Sequence, residues 1–279
     1  MKLFNRITII GLGLIGGSLS LAIKEKHLAK EVIGVSRRRS TIQRALSLKI
    51  VDHATLNLKE GVKGSGLVIL CTPVYKIVDI AERIAPLLKK GAILIDIGST
   101  KKYITKKIEP ILTEGTHFIG SHPLAGSEKS GVLSSDKNLF KGAVCILVKS
   151  ARTNPQALAK IKRFWDGLGM KVIVMSPDAH DKIVSKISHL PHALAVSLVN
   201  SMDKTGLDLA AGGFRDTTRI ASGEPELWKD IFLTNKDNLI KDIARFKKEL
   251  AKIEYALKND NKAVLLNLLN RAKVVRDSL

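Results

Sequence analysis

The chain has 279 residues, enough to bury a substantial core in one large or two modest domains. It carries 46 Lys and Arg against 26 Asp and Glu, a net charge of +20, yet the basic residues are spread along its whole length and only 4% of residues are aromatic. Nucleic-acid recognition asks for a concentrated basic stripe or stacking platforms, so the charge reads as a solvated surface that also attracts small polyanions.

No apolar run is long enough to cross a bilayer, and the opening "MKLFNRITIIGLGLIGGSLSLAI" is broken by glycines where a secretory signal would be continuous. Cys71 and Cys145 lie in apolar strand-like runs with neither disulfide nor metal spacing. A reduced, cytoplasmic protein without a bound metal is expected.

The first strand-like run, "RITIIGLG", leads directly into "GLGLIGGSLSLAI". Gly11, Gly13 and Gly16 form a G-x-G-x-x-G pattern, with Leu14 and Ile15 at the start of the helix that follows. A strand before and a helix after are the context in which this pattern holds a dinucleotide. Gly11 permits the tight turn, Gly13 lets backbone approach a pyrophosphate, and Gly16 lets helix and strand pack closely. The second run, "EVIGVS", ends at Ser36 and is followed by Arg37, Arg38 and Arg39. An acidic residue there would bond the ribose hydroxyls and repel a 2′-phosphate. A hydroxyl and guanidinium forks suit a phosphate dianion instead, so the stretch selects NADP over NAD. The competing reading is an exposed basic turn before a helix.

Further along, "LVILCTP" ends in Cys71, Thr72 and Pro73, which belong to the same cofactor edge. "AILIDIGS" runs into "DIGSTK" with Ser99, and "HFIGSHP" into "GSHPLAGSEKSG" with His122; "VCILVKS" and "KVIVMS" complete the series. Helical segments such as 77–88 and 155–168 lie between the runs. Near-continuous apolar strands alternating with helices predict a doubly wound, Rossmann-type α/β fold with a parallel sheet covered on both faces. This domain is expected over residues 1–176.

After "MSPDAHD" only helices are expected, the first over 181–202, in a second domain over 177–279. Between 235 and 257 Leu239, Ile243, Phe246, Leu250, Ile253 and Leu257 recur at three and four. Such a stripe either faces its own domain's core or is shared between two subunits of a homodimer.

The second domain also carries "SHLPHALA", with His189 and His192, and "GGFRDTTRIASGEPELW", from Gly212 to Trp228. With "GSHPLAGSEKSG" and "DIGSTK", these segments make the whole chain resemble the prephenate and arogenate dehydrogenase family of tyrosine biosynthesis. The resemblance implies a Rossmann-type domain, a helical dimerisation domain, and an active site between them. It also implies oxidative decarboxylation of a cyclohexadienol, prephenate or arogenate, to 4-hydroxyphenylpyruvate or tyrosine, with hydride passing to a nicotinamide.

In that comparison His122 matches the catalytic histidine that accepts the ring-hydroxyl proton, a role suited to neutral imidazole. Ser99 matches a serine that contacts this hydroxyl and the nicotinamide and holds His122 oriented. Arg219 is the candidate for gripping a substrate carboxylate bidentately, and His192 and Gly212 match substrate contacts. Glu128 and Asp216 match acidic positions at the pocket mouth, although Asp216 equally suits a helix N-cap before "TTRIA". His189 supports its helix or touches substrate, and Trp228 is either wall or core. His27, His53, His117 and His180 have no motif around them and read as ordinary.

Arogenate and prephenate are left open: "SRR" is similar to NADP-dependent, arogenate-preferring members, and "GSEKSG" and "HLPH" to prephenate-using ones. The length fits neither an added C-terminal regulatory domain nor an N-terminal mutase, so inhibition by tyrosine is expected at the active site. Two other functions fit a two-domain dinucleotide-binding chain. A β-hydroxyacid dehydrogenase would use Lys182 or Lys186, and a dinucleotide-sensing regulator would need a DNA-binding helix-turn-helix, which the sequence does not offer.

Overall fold

The computed structural model describes residues 2–126 and 130–278. The first half alternates strands and helices: β1 (Phe4–Ile10), α1 (Leu14–Glu25), β2 (Ala29–Val35), α2 (Arg39–Ser47), β3 (His53–Thr55), α3 (Leu58–Val62), β4 (Leu67–Leu70), α4 (Val74–Ile84), β5 (Ile93–Asp96), α5 (Lys102–Ile108), β6 (His117–Pro123), β7 (Val144–Val148), α6 (Pro155–Gly167) and β8 (Lys171–Met175). The strands form one sheet in the order β3-β2-β1-β4-β5-β6-β7-β8. The chain reverses its direction of travel across the sheet between β1 and β4, and this switch point is where a doubly wound sheet opens a crevice at its carboxyl ends.

β4 shows why the sheet stays central. All four of its residues, "LVIL", are buried, alternating between two apolar layers. Leu67 and Ile69 join Ile7, Ile9, Phe164 and Trp165 on one face; Val68 and Leu70 join Ile77, Leu94 and Ile104 on the other. Each such side chain contributes about 1.5–3 kcal/mol on burial.

Three features depart from the sequence expectation. β7 runs antiparallel to β6, with His122 opposite Ile146, because only a short 3-10 turn (Val132–Ser134) stands where a crossover helix would lie. β3 is an additional three-residue strand pairing with β2. β8, at the sheet edge, leaves Ile173 and Val174 exposed, so its outer part is not covered on both faces.

The second half is helical: α7 (Pro177–Val184), a π-helical turn (Ser185–His189), α8 (Leu190–Asn200), α9 (Lys204–Asp208), α10 (Gly212–Thr218), a 3-10 turn (Arg219–Ser222), α11 (Pro225–Thr234), α12 (Lys236–Lys258) and α13 (Lys262–Asp277). The helix expected from 181 begins earlier, because Ser176 Oγ accepts from Ala179 N at 3.2 Å and Pro177 is set for the first turn. It is interrupted at 185–189 by the wider turn. The apolar stripe of α12 divides: Leu239 is 5% exposed, whereas Leu250 and Leu257 are 53% and 59% exposed. Leu250 and Leu257 therefore do not face the core of their own domain, although Ala256 between them is buried. Among the described residues no helix is long and apolar enough to cross a membrane.

Candidate active site

A cleft of about 770 Å³ opens over the carboxyl ends of β1, β2 and β4. Its floor is the glycine turn. Gly11 has φ +103°, and a Cβ there would lie 2.4 Å from the Cys71 carbonyl oxygen, so no other residue fits. A Cβ on Gly16 would lie 2.0 Å from the Gly11 oxygen, which fixes the close approach of α1 to β1. Over Gly13 nothing stands within 4 Å. Gly13 is also the N-cap of α1 and has no side chain to cap it, so the positive end of a 12-residue helix faces open space. The cradle and the helix end fit a pyrophosphate. Thr72 Oγ1, buried in the same cleft without a hydrogen-bond partner among the described residues, offers a further polar group to a dinucleotide.

Gly11, Gly13, Ser36, Arg37, Arg38, Cys71, Thr72 and Pro73 all line this cleft. Leu14, Ile15 and Gly16 do not; they form the first turn of α1 behind it, with Leu14 buried. Arg39 starts α2 and is not part of the lining. The structure adds three cations that the sequence reading missed: Lys76 and Arg83 of α4, and Arg44 of α2. The carboxylate of Asp79 is in the same wall, paired with Lys76 at 2.9 Å.

His122 lies near the end of β6 and is partly exposed. Its Nδ1 is 2.8 Å from His180 Nε2, and His180 Nδ1 is 2.7 Å from Asp181 Oδ1. Asp181 is itself fixed by the backbone N–H groups of Lys101 (2.7 Å) and Lys102 (3.0 Å) at the start of α5. The reading of His180 as ordinary is thus corrected: it is fully buried and bonded to His122. The network fixes the tautomers. A carboxylate accepts only, so His180 donates from Nδ1 and accepts at Nε2. His122 must then donate from Nδ1, which leaves the lone pair on its Nε2.

Burial holds His122 well below its ordinary 6.5, reinforced by His180, Lys101 and His189. Burial also lowers His180, against the opposing pull of Asp181. Ser99, two residues before Lys101, makes no hydrogen bond to His122 among the described residues; the orienting partner is His180.

The helical half adds a second group of histidines. His192 is buried and stacks on Trp228, with centroids 3.5 Å apart and planes 9° from parallel. Gly223 makes room for this, since a Cβ there would meet Trp228 Nε1 at 2.3 Å. His189 Nδ1 accepts from Asn235 Nδ2 at 3.1 Å, and burial lowers His189 to about 4. His189 Nε2 and His192 Nδ1 are buried without partners among the described residues. Asp216 lies inside α10, whose N-cap is Ala211, so the N-cap reading is excluded. Arg219 begins the following 3-10 turn, and Gly212 begins α10; both are exposed. Glu128 lies outside the described residues. Lys182 and Lys186 are exposed on and just after α7, away from the relay formed by His122 and His180.

A dinucleotide cleft and an imidazole relay, on a Rossmann-type domain joined to a helical one, define a two-domain, nicotinamide-dinucleotide-dependent oxidoreductase. Comparison with known proteins narrows this class. Residues 19–174 match the family model for the prephenate dehydrogenase nucleotide-binding domain, and residues 176–271 that for the prephenate dehydrogenase dimerization domain. The chain belongs to the prephenate dehydrogenase family. It is 36% identical over 282 residues to prephenate dehydrogenase of Bacillus subtilis, covering 99% of this chain and 76% of that protein. It is 34% identical over 286 residues to cyclohexadienyl dehydrogenase of Zymomonas mobilis, covering 100% and 97%. Among solved structures, prephenate dehydrogenase from A. aeolicus in complex with hydroxyphenyl propionate and NAD+ superposes with a TM-score of 0.90 at 32% identity, covering 98% of each chain.

Proposed function

We propose that the chain oxidatively decarboxylates a cyclohexadienol, prephenate or arogenate, using His122 as the proton acceptor and NADP in preference to NAD. The observation that carries this reading is the relay from Asp181 through His180 to His122, which leaves a basic Nε2 at the ligand-facing end of β6. A bound dinucleotide would supply an oxidised nicotinamide as acceptor for the hydride of the hydroxyl-bearing ring carbon. His122 Nε2 accepts the hydroxyl proton as the carbonyl forms. Loss of the ring carboxylate as carbon dioxide returns its bonding pair to the ring, which becomes aromatic as the phenolate oxygen takes the proton back from His122. The ring supplies much of the driving force, so the protein's task is positioning and the handling of one proton.

Gly11, Gly13, the first turn of α1 with Leu14, Ile15 and Gly16, and Cys71, Thr72 and Pro73 would hold the dinucleotide. Ser99 would face its nicotinamide end. Arg219 would grip a substrate carboxylate, with His192 and Gly212 at the side-chain end and Glu128 and Asp216 at the mouth. Trp228, stacked on His192, would set the wall behind it. We assign residues 1–176 to the cofactor half and 177–279 to the substrate and dimerisation half. A homodimer through the latter would cover the apolar residues that α12 and α13 leave exposed, among them Leu250, Leu257, Leu266 and Leu269.

The preference for NADP rests on Ser36, Arg37 and Arg38 and on the absence of an acidic residue among them; Arg44 and Arg83 add positive charge to the same cleft. Charge-assisted hydrogen bonds contribute about 1.5–3 kcal/mol each. The double variant Arg37→Ala/Arg38→Ala is therefore expected to raise the KM for NADP roughly 100-fold or more and to leave that for NAD nearly unchanged. Steady-state kinetics with each cofactor checks this. The reading as a whole is tested by following reduced-nicotinamide absorbance with prephenate or arogenate against NADP or NAD. Turnover with a cyclohexadienol, faster with NADP, is expected. Silence in all four combinations from folded protein would remove the assignment.

A further inference from the structure

Lys101 is the second largest fully buried side chain of the described residues, after Trp165, and the proton-transfer reading makes no use of it. Its Nζ donates to Asp96 Oδ2 at the end of β5 and to the Ser121 carbonyl at 2.8 Å, one residue before His122 on β6. Its backbone N–H donates to Asp181, the carboxylate that fixes His180. Gly120 packs beside its stem: a Cβ there would lie 3.3 Å from Lys101 Cδ and 2.6 Å from Val148 Cγ2. One residue thus joins β5, β6 and α7 directly behind the imidazole.

We propose that Lys101 is a positioning residue for His122, fastening the three elements that carry the relay, and that its ammonium charge, beyond its bulk, keeps His122 in the proton-accepting form. The inference rests on the reading of His122 as the proton acceptor.

A buried apolar slot would be filled as well by Met or Leu, and an ion pair there gains little stability over such a filling. A lysine in this place supplies what an apolar side chain lacks, a positive charge behind a base. Burial pushes the Asp96 carboxyl up and the Lys101 ammonium down, while their mutual attraction opposes both. The two acceptors on Nζ, a carboxylate and a carbonyl, both favour the ammonium. The ammonium in turn is one of the groups that hold His122 low.

The other groups facing His122 are accounted for. From α7 come His180 and, through it, Asp181; from the π-helical turn comes His189. Across on β7 lies the Cys145 thiol, which burial keeps protonated. On the β5 side are only Lys101 and its partner Asp96 among the described residues.

The test uses the full-length protein and the double variant Asp96→Asn/Lys101→Met, which removes both buried charges at similar volume and is therefore expected to fold. Histidine side chains labelled with 13C are titrated by NMR, with His122 assigned from its missing signal in His122→Asn, and the pH profile of kcat/KM is measured alongside. The expected result is a rise of the His122 pKa, because Lys101 and not Asp96 is among the charges that hold it low, with the acid limb of kcat/KM moving up alongside it. A His122 pKa unchanged in a variant with wild-type circular dichroism and melting would overturn the role of the charge. A raised pKa with an unmoved acid limb would uphold the coupling of Lys101 to His122 and instead overturn His122 as the proton acceptor.

Discussion

Replacing His122 with asparagine is expected to lower kcat by about 10²- to 10⁴-fold, the usual contribution of a positioned general base, with little change in KM. Asparagine can still donate an amide N–H to His180 Nε2, so the relay behind it and the fold should persist. What it lacks is a basic nitrogen where His122 presents Nε2. Steady-state kinetics on a variant with an unaltered circular dichroism spectrum checks this. A drop in kcat at constant KM marks an interaction made in the transition state and not in the ground state. Nearly wild-type turnover would remove His122 from the reaction.

The second large effect concerns the buried ion pair. Lys101→Met alone leaves the Asp96 carboxylate in a place with no exposure, facing the Gly98 N–H at 2.8 Å but no cation. Removing one partner of a buried pair typically costs about 3–5 kcal/mol, a large part of the roughly 5–15 kcal/mol by which a domain is stable. The single variant is expected to lose stability by that order in urea unfolding. Adding Asp96→Asn is expected to restore most of it, because no uncompensated charge is then left. A single variant as stable as the parent would mean that the pair is already neutral in the folded chain.

The central strands of the first half were legible because each is a short run of apolar residues bounded by turn residues and largely buried. β3 escaped notice because "HAT" is three residues long and has no such run. The direction of β7 could not be read from its own residues, since a strand of "VCILV" looks alike either way. The signal lay in the connection: residues 124–143 hold no helical period, and a parallel return needs a crossover. The glycine turn between β1 and α1 was legible because its constraint is local; the cations Lys76, Arg44 and Arg83 were not, since their helices had to be packed on the sheet first.

His180 is the instructive omission. It stands 58 residues from His122, and nothing near it in sequence marks it as chemical. The nearest signal was "SPDAHD", in which a Ser cap and a Pro at the first helical position place His180 and Asp181 on the opening turns of a helix that starts from the sheet's end. Asp216 shows the reverse error: its side chain type suits an N-cap, but Ala211 takes that place and leaves it exposed within α10. The stripe on α12 carries a single period throughout. Only the packing distinguishes Leu239, which is covered by this chain, from Leu250 and Leu257, which are not.

The central claim is that His122 works as a neutral base kept low by burial and by the groups behind it. The pH dependence of kcat/KM in the unmodified protein tests it most directly, because that profile reports the essential base of the free enzyme. In the proposed mechanism the base form is the active one, and His122 is shifted downward from 6.5. Activity is therefore predicted to hold steady as pH falls through 6.5 and to decline, tenfold per unit, only at a lower pH. A decline already complete by pH 6.5, set by a group with a pKa above that value, would contradict the account.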